Sequence, residues 1–217
     1  GGSALPRTGS SVTLPLLALG AEAYAAIGTA NSGGTKVFSL TGDVRLAGVL
    51  EVPMGTSIAT IVETMGGGAP QGRQIKAVQT GGPSGGCVPA SALDTPVDYD
   101  SLKALGTIMG SGGMVVLDDT TNMVDIAAFF IAFSREESCG KCIPCRCGTV
   151  QLEQLLRKLL ERRGCLADLS QLESLCHTVA VASLCGLGQS APKPVLSTLR
   201  HFRGDYLALL QPAEVQR

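Results

Sequence analysis

Four of the chain's eight cysteines fall within nine consecutive residues, at positions 139, 142, 145 and 147. An even cysteine count invites a disulfide framework, but this spacing is that of metal ligation rather than of covalent staples. In Cys139-Gly140-Lys141-Cys142-Ile143-Pro144-Cys145, three thiolates stand at C-x2-C-x2-C. One loop of this kind can wrap a cubane iron–sulfur cluster and reach three of its irons, leaving the fourth corner to a remote cysteine. Gly140 permits an unusual backbone angle and Pro144 stiffens the loop. The intervening amides can point at cluster sulfides and tune the potential. Lys141 and Arg146 flank the site. They read equally well as surroundings that favour a reduced, more negative cluster and as solvated surface.

The fourth cysteine is argued from position. Cys176 falls on an apolar helical stripe and reads as a small core residue. Cys165 stands beside the Arg162-Arg163-Gly164 turn and is expected to be exposed and inert. Cys147 is two residues past Cys145 and is expected to crowd the same side of the cluster. Cys185 lies in Cys185-Gly186-Leu187-Gly188, a glycine-rich loop after a helix, facing the first cysteine loop across the end of a bundle. Cys185 is preferred, with Cys147 as the alternative. Zinc also takes four thiolates, but its structural sites pair two C-x2-4-C knuckles, so a structural zinc-binding assembly module without redox role is the rival reading.

The remaining sequence organises around this site. Residues 1–34 read as a loose start, a short helix over about Gly20–Ile27 and a linker. Arg7, Val12–Leu19 and Ala21-Glu22-Ala23 loosely mimic a signal peptide, a reading not favoured here. From Thr35 to Asp118 strand-like runs appear: Val37–Leu40 and Val49–Val52 as a hairpin around Gly42-Asp43, then Ile75–Val78 and Met114–Leu117. A helix is expected from Thr56 to Met65, ended by Gly66-Gly67-Gly68, and an acidic turn around Asp94–Asp100. The implied fold class is α+β, with a small domain of β-grasp type over 35–118. After Asp119, four apolar stripes at helical spacing follow. They comprise Met123, Ile126, Ala127, Phe130 and Phe133; Leu152, Leu155, Leu156, Leu159 and Leu160; Leu169, Leu172, Leu175, Cys176 and Val179; and Val195, Leu199, Phe202, Tyr206 and Leu209. These predict a four-helix bundle over 119–217 that carries the iron–sulfur cluster.

Several function classes lose support. Lys plus Arg number 17 against 18 Asp plus Glu, so no basic field points to nucleic acid or an anionic membrane. No stretch of about 20 uncharged apolar residues is present. Reduced thiols imply cytoplasm or an organelle matrix, including as a peripheral part of a membrane complex. The loop Gly81-Gly82-Pro83-Ser84-Gly85-Gly86 lacks the Lys-Ser/Thr pair of a Walker phosphate loop, and no G-x-G-x-x-G opens a helix. That loop reads as a structural turn. His177 and His201 stand alone, and no nucleophile–base pairing is visible, so no catalytic residue is assigned.

Longer motifs carry a family resemblance. Glu137-Ser138-Cys139-Gly140-Lys141-Cys142-Ile143-Pro144-Cys145-Arg146 resembles the E-S-C-G-K-C-x-P-C-R cluster signature of the NADH-binding flavoprotein subunit of respiratory complex I and its soluble relatives. Ser183-Leu184-Cys185-Gly186-Leu187-Gly188-Gln189 and Leu199-Arg200-His201-Phe202-Arg203 are similar to its downstream landmarks. Ala26-Ile27-Gly28-Thr29 and Thr35–Gly42 resemble the start of its ubiquitin-like SLBB domain. Gly81–Cys87 and Met109-Gly110-Ser111-Gly112-Gly113 resemble segments of NAD-linked hydrogenase and formate dehydrogenase diaphorase subunits.

The resemblance implies an SLBB domain over 35–118, with 1–34 as a remnant of the flavin-domain boundary, and a [4Fe–4S] cluster on Cys139, Cys142, Cys145 and Cys185. Gly140, Lys141 and Arg146 would surround that cluster. It further implies FMN and NAD(H) in the complete enzyme only, with no FMN- or NAD-binding residues in this chain. The implied role is a relay of single electrons between that flavin and the next iron–sulfur centre, in a complex I relative, a soluble hydrogenase or a formate dehydrogenase. The implied partners are a thioredoxin-like iron–sulfur subunit, other redox subunits and a separately supplied flavin/NADH domain. This chain alone is expected not to turn over NADH. One departure bears on the site: the signature continues R-E-G, whereas Arg146-Cys147-Gly148 puts a thiol where a carboxylate is expected.

Overall fold

The structure is a computed structural model that describes Ala18 and residues 20–211. The signal-like stretch and the loose start fall almost entirely outside those residues. The chain divides into two units: one comprises residues up to Gly81 together with Val88–Asp119, the other Gly82–Cys87 together with residues from Thr120 onward. Mixed sheet and helix make the fold α+β.

The first unit opens with a short helix, α1 (Ala21–Ala25), and a two-stranded ribbon of β1 (Gly28–Thr29) and β2 (Ser32–Gly33). A five-stranded sheet follows: β3 (Thr35–Gly42), β4 (Gly48–Pro53), β5 (Ile75–Thr80), β6 (Gly86–Pro89) and β7 (Gly113–Asp118), in the order β4-β3-β7-β5-β6. β3 and β4 form the expected antiparallel hairpin, with Thr35 opposite Pro53 and Leu40 opposite Gly48. β7 runs parallel to β3 and antiparallel to β5, so the last strand of the unit sits at the sheet's centre. Phe38 and Leu40 are buried while Ser39 between them is exposed, the period-2 alternation of a sheet with one face on a core. Phe38, Leu40, Ile58, Ile61, Val62, Val78, Met114 and Val116 meet in that core.

Two local expectations for this unit need correction. The helix after Thr56 is largely a π-helix over Thr60–Met65, and Gly66 N–H donates to Ile61 O five residues back. The acidic turn expected around Asp94–Asp100 ends at Asp98, where a helix, α2 (Tyr99–Ala104), begins. Asp98 is its N-cap: Oδ1 accepts from Ser101 N–H at 2.7 Å and Oδ2 accepts from the Ser101 hydroxyl at 3.0 Å.

The second unit contains α3 (Met123–Glu136), α4 (Ile143–Leu160), α5 (Leu166–Ala182), α6 (Gly186–Ser190), α7 (Lys193–His201) and α8 (Arg203–Leu207). Ala127, Ile131, Leu152, Leu156, Leu172, Cys176, Val195 and Tyr206 share its core. The stripe on α3 is rotated from the expected one, since Val124 and Ile131 are buried whereas Phe133 is exposed. The expected fourth helix is two helices, broken at Phe202, where the backbone leaves the helical region at φ −130 and ψ 36. The turn Gly82–Ser84 is a short 3-10 helix of this unit. Just after it, Cys87 N–H donates to the Ser197 Oγ of α7 at 3.0 Å. Among the described residues no helix is long and apolar enough to cross a membrane.

Candidate metal centre

The candidate cysteines gather where α3, α4, α5 and α6 begin or end. α3 stops at Glu136, and the loop 137–142 carries Ser138, Cys139 and Gly140 to the N-cap of α4, which is Cys142. Gly140 adopts φ +73, the left-handed region in which a side chain is strained, so the sequence expectation for this glycine holds. Arg146 Nη1 donates to Gly140 O at 3.1 Å and clamps the loop from the first turn of α4. Lys141 is exposed.

Cys145 is buried, and its sulfur lies 3.3 Å from Ser138 Oγ. That oxygen also accepts from Gly140 N–H at 3.3 Å. Cys142 is half-buried, and its sulfur receives hydrogen bonds from the backbone N–H of Leu184 first and of Cys145 second; together they hold its pKa below the ordinary thiol range. Leu184 precedes Cys185, the N-cap of α6. The loop after α5 is therefore held against the C-x2-C-x2-C loop, and Cys185 is exposed beside it.

The glycine-rich loop expected around Cys185 is instead the short helix α6. Gly188 is buried there, where a Cβ would run into the Ser183 hydroxyl and lie 3.0 Å from the Cys145 Cβ. Ser183 ends α5, donates its N–H to Val179 O at 3.2 Å and accepts from Gln189 Nε2 at 3.1 Å through its carbonyl. Its hydroxyl is the one buried side-chain oxygen or nitrogen among the described residues with no hydrogen-bond partner.

The other cysteines separate from this group. Cys147 is exposed, as Cys139 and Cys185 are. Two residues along a helix turn the side chain by roughly 200°, away from the face that buries Cys145. Cys176 is fully buried in the helical core, and burial raises its pKa to about 12. Cys165 is half-buried rather than exposed, and it is the N-cap of α5, where Asp168 Oδ2 accepts from its N–H at 2.8 Å in a reciprocal capping box. His177 and His201 are exposed.

The donor set fits an iron–sulfur cubane. Cys139 stands on the loop before α4, Cys142 at its N-cap and Cys145 in its first turn rather than in the expected loop; a fourth thiol, Cys185, caps α6, and a buried hydroxyl lies beside them. Ser138, Ser183 and Gly188 went unnoticed as site residues in the sequence, although each stands within three residues of a candidate cysteine.

This is the setting of an iron–sulfur protein, and comparison with known proteins gives the same class. Residues 125–209 match the family model described as the NADH-ubiquinone oxidoreductase-F iron–sulfur binding region. The match lies within the helical unit, and the chain resembles the NADH-binding subunit of complex I and its hydrogenase relatives. It is 49% identical over 189 residues to HndC, a subunit of the NADP-reducing hydrogenase of Solidesulfovibrio fructosivorans, covering 87% of this chain and 39% of that protein. It is 41% identical over 192 residues to the F 2 component of the NADH-quinone oxidoreductase of Rhizobium meliloti, covering 88% of this chain and 46% of that one. Among solved structures, an air-oxidised NAD+-reducing [NiFe]-hydrogenase superposes with a TM-score of 0.81 at 34% identity, covering 91% of this chain and 33% of the other. The chain spans less than half the length of these relatives.

Proposed function

We propose that the chain holds one [4Fe–4S] cluster on Cys139, Cys142, Cys145 and Cys185 and relays single electrons within an NAD(P)-linked redox complex. The observation that carries this reading is the Cys142 sulfur accepting from Leu184 N–H, which sets the three-cysteine loop against the Cys185 loop. Such a cluster supplies a one-electron couple. This chain's residues wrap it with thiolates and direct amides at them, and the clamp from Arg146 to Gly140 O holds the loop in shape. Four thiolates would occupy all four irons, which suits electron transfer rather than substrate chemistry.

On this reading the sheet unit is an SLBB domain of β-grasp type and the helical unit a four-helix bundle, with the division between them near residue 119. The electrons come from FMN reduced by NADH on a separate domain, or return to it, and pass to a further iron–sulfur centre on a thioredoxin-like partner. The relatives include both a component of a hydrogenase and one of a quinone oxidoreductase, and the shared step is this relay.

Anaerobically reconstituted protein is expected to contain iron and acid-labile sulfide in equal amounts, about four of each per chain. Cys185→Ser is expected to lose the [4Fe–4S] signature, and Cys147→Ser to keep it. Stoichiometric zinc without sulfide would establish the structural zinc module instead.

A further inference from the structure

We propose that Ser138 and Ser183 are positioning residues that set the potential of this centre, each donating its hydroxyl proton to sulfur, Ser138 at Cys145 and Ser183 at Cys142 or the sulfide beside it. The inference rests on the proposed cluster and assigns it two partners outside the thiolates.

The two hydroxyls reach the site from opposite loops. Ser138 Oγ lies 3.3 Å from Cys145 Sγ and accepts from Gly140 N–H at 3.3 Å. With its oxygen engaged by an amide, the hydroxyl proton is free for the sulfur, so the serine links the strained glycine to the buried thiolate. Ser183 is 4% exposed, and its hydroxyl has no partner at full hydrogen-bond geometry, its approach to the Cys142 sulfur falling short of one. An unpaired buried hydroxyl is destabilising, and native structures seldom retain one without a reason.

The rest of Ser183 is well satisfied, since its N–H and C=O are both bonded. Its hydroxyl is wedged at Gly188 and is directed at the Cys142 sulfur. Any side chain at position 188 would strike it. The acceptor it is directed at is the Cys142 sulfur. Hydrogen bonds to cluster sulfurs withdraw electron density from the iron and make the reduced state easier to reach. One electron enters the cluster and the same electron leaves, and no proton transfer is required.

The test uses the full chain with its cluster, in the unsubstituted form and as Ser138→Ala, Ser183→Ala and Ser138→Thr. Iron and sulfide content is measured first. An unsubstituted chain that assembles no cluster would sink the proposed function itself. Midpoint potentials are then read by redox titration followed by electron paramagnetic resonance. Both alanine variants are expected to retain iron and sulfide and to shift to more negative potential, whereas Ser138→Thr, which keeps the hydroxyl, returns toward the unsubstituted value. Alanine variants with full clusters and unchanged potentials would overturn the inference. A second measurement needs no variant to hold its cluster: iron–sulfur stretching bands in the resonance Raman spectrum of the unsubstituted chain should shift on transfer to D2O. Bands that do not move would also overturn it.

Discussion

The backbone N–H of Leu184 donates to the sulfur of Cys142, so the residue before Cys185 is bonded to the residue that caps α4. This amide and the N–H of Cys145 favour the thiolate, outweighing the opposing effect of partial desolvation. The folded pKa is depressed, so the thiolate persists to lower pH than in the unfolded chain. The associated stabilisation is complete above the unfolded value and is lost as pH falls through the folded one. In cluster-free protein, iodoacetamide labelling of Cys142, followed by mass spectrometry across pH, should show a midpoint below the ordinary thiol value of 9.0. In urea the midpoint should rise. Identical folded and unfolded profiles would contradict the contact.

Gly148 sets how closely α4 and α5 approach. A Cβ there would strike Val179 Cγ2. Gly148→Val is therefore expected to destabilise the chain by about 1–3 kcal/mol in urea unfolding, despite valine's better helix propensity. The same substitution in a Val179→Ala background should cost less, since the alanine removes the opposing methyl. Additive losses in the double variant would show that the two residues do not meet.

What the sequence revealed depended on the range of the interaction. The strands at Val37–Leu40 and Met114–Leu117 were legible because β-branched and large apolar residues with turn glycines declare themselves locally. Cys139, Cys142 and Cys145 were legible as a motif for the same reason. Less visible was what depends on neighbours distant in sequence. The turn Gly82–Ser84 groups with helices that begin some forty residues later, and nothing near it in sequence says so. The α2 helix was hidden because an Asp98 N-cap and a run of acidic residues look alike when read as a turn. Ser183 could not stand out, because only its burial without a partner distinguishes it from an ordinary loop serine.

The start of α5 should respond to acid. Burial pushes the Asp168 carboxyl upward, but the hydrogen bond from Lys158, at 2.7 Å, and that from Cys165 N–H outweigh it and leave its pKa below the usual carboxylate value. The folded value is the lower one, so this stabilisation is full above the unfolded carboxylate pKa and disappears as pH falls through the folded value. Asp168→Asn keeps an acceptor for the cap but loses the charge. It should lower thermal stability at pH 7 and flatten the decline between about pH 5 and pH 3. Parallel stability curves for the two proteins across that window would rule the contact out as its cause.

The Gly81–Gly86 loop should take no part in nucleotide binding. A phosphate cradle needs backbone N–H groups that point into open space. Here Gly85 N–H donates to Gly82 O at 3.0 Å, and Cys87 N–H is held by Ser197 Oγ at 3.0 Å. The amides that close the turn are engaged within the helical unit, which makes the loop a structural element of that unit. Added FMN or NADH should therefore leave the amide NMR signals of Gly85, Gly86 and Cys87 in place, and the cluster-loaded chain should show no NADH-dependent dye reduction. Dithionite, which needs no hydride-accepting flavin, should reduce the same preparation. Saturable shifts of the Gly85–Cys87 signals on adding NADH would show that the loop opens for a ligand. NADH-dependent reduction of the cluster without added flavoprotein would show that the chain has its own route for the hydride.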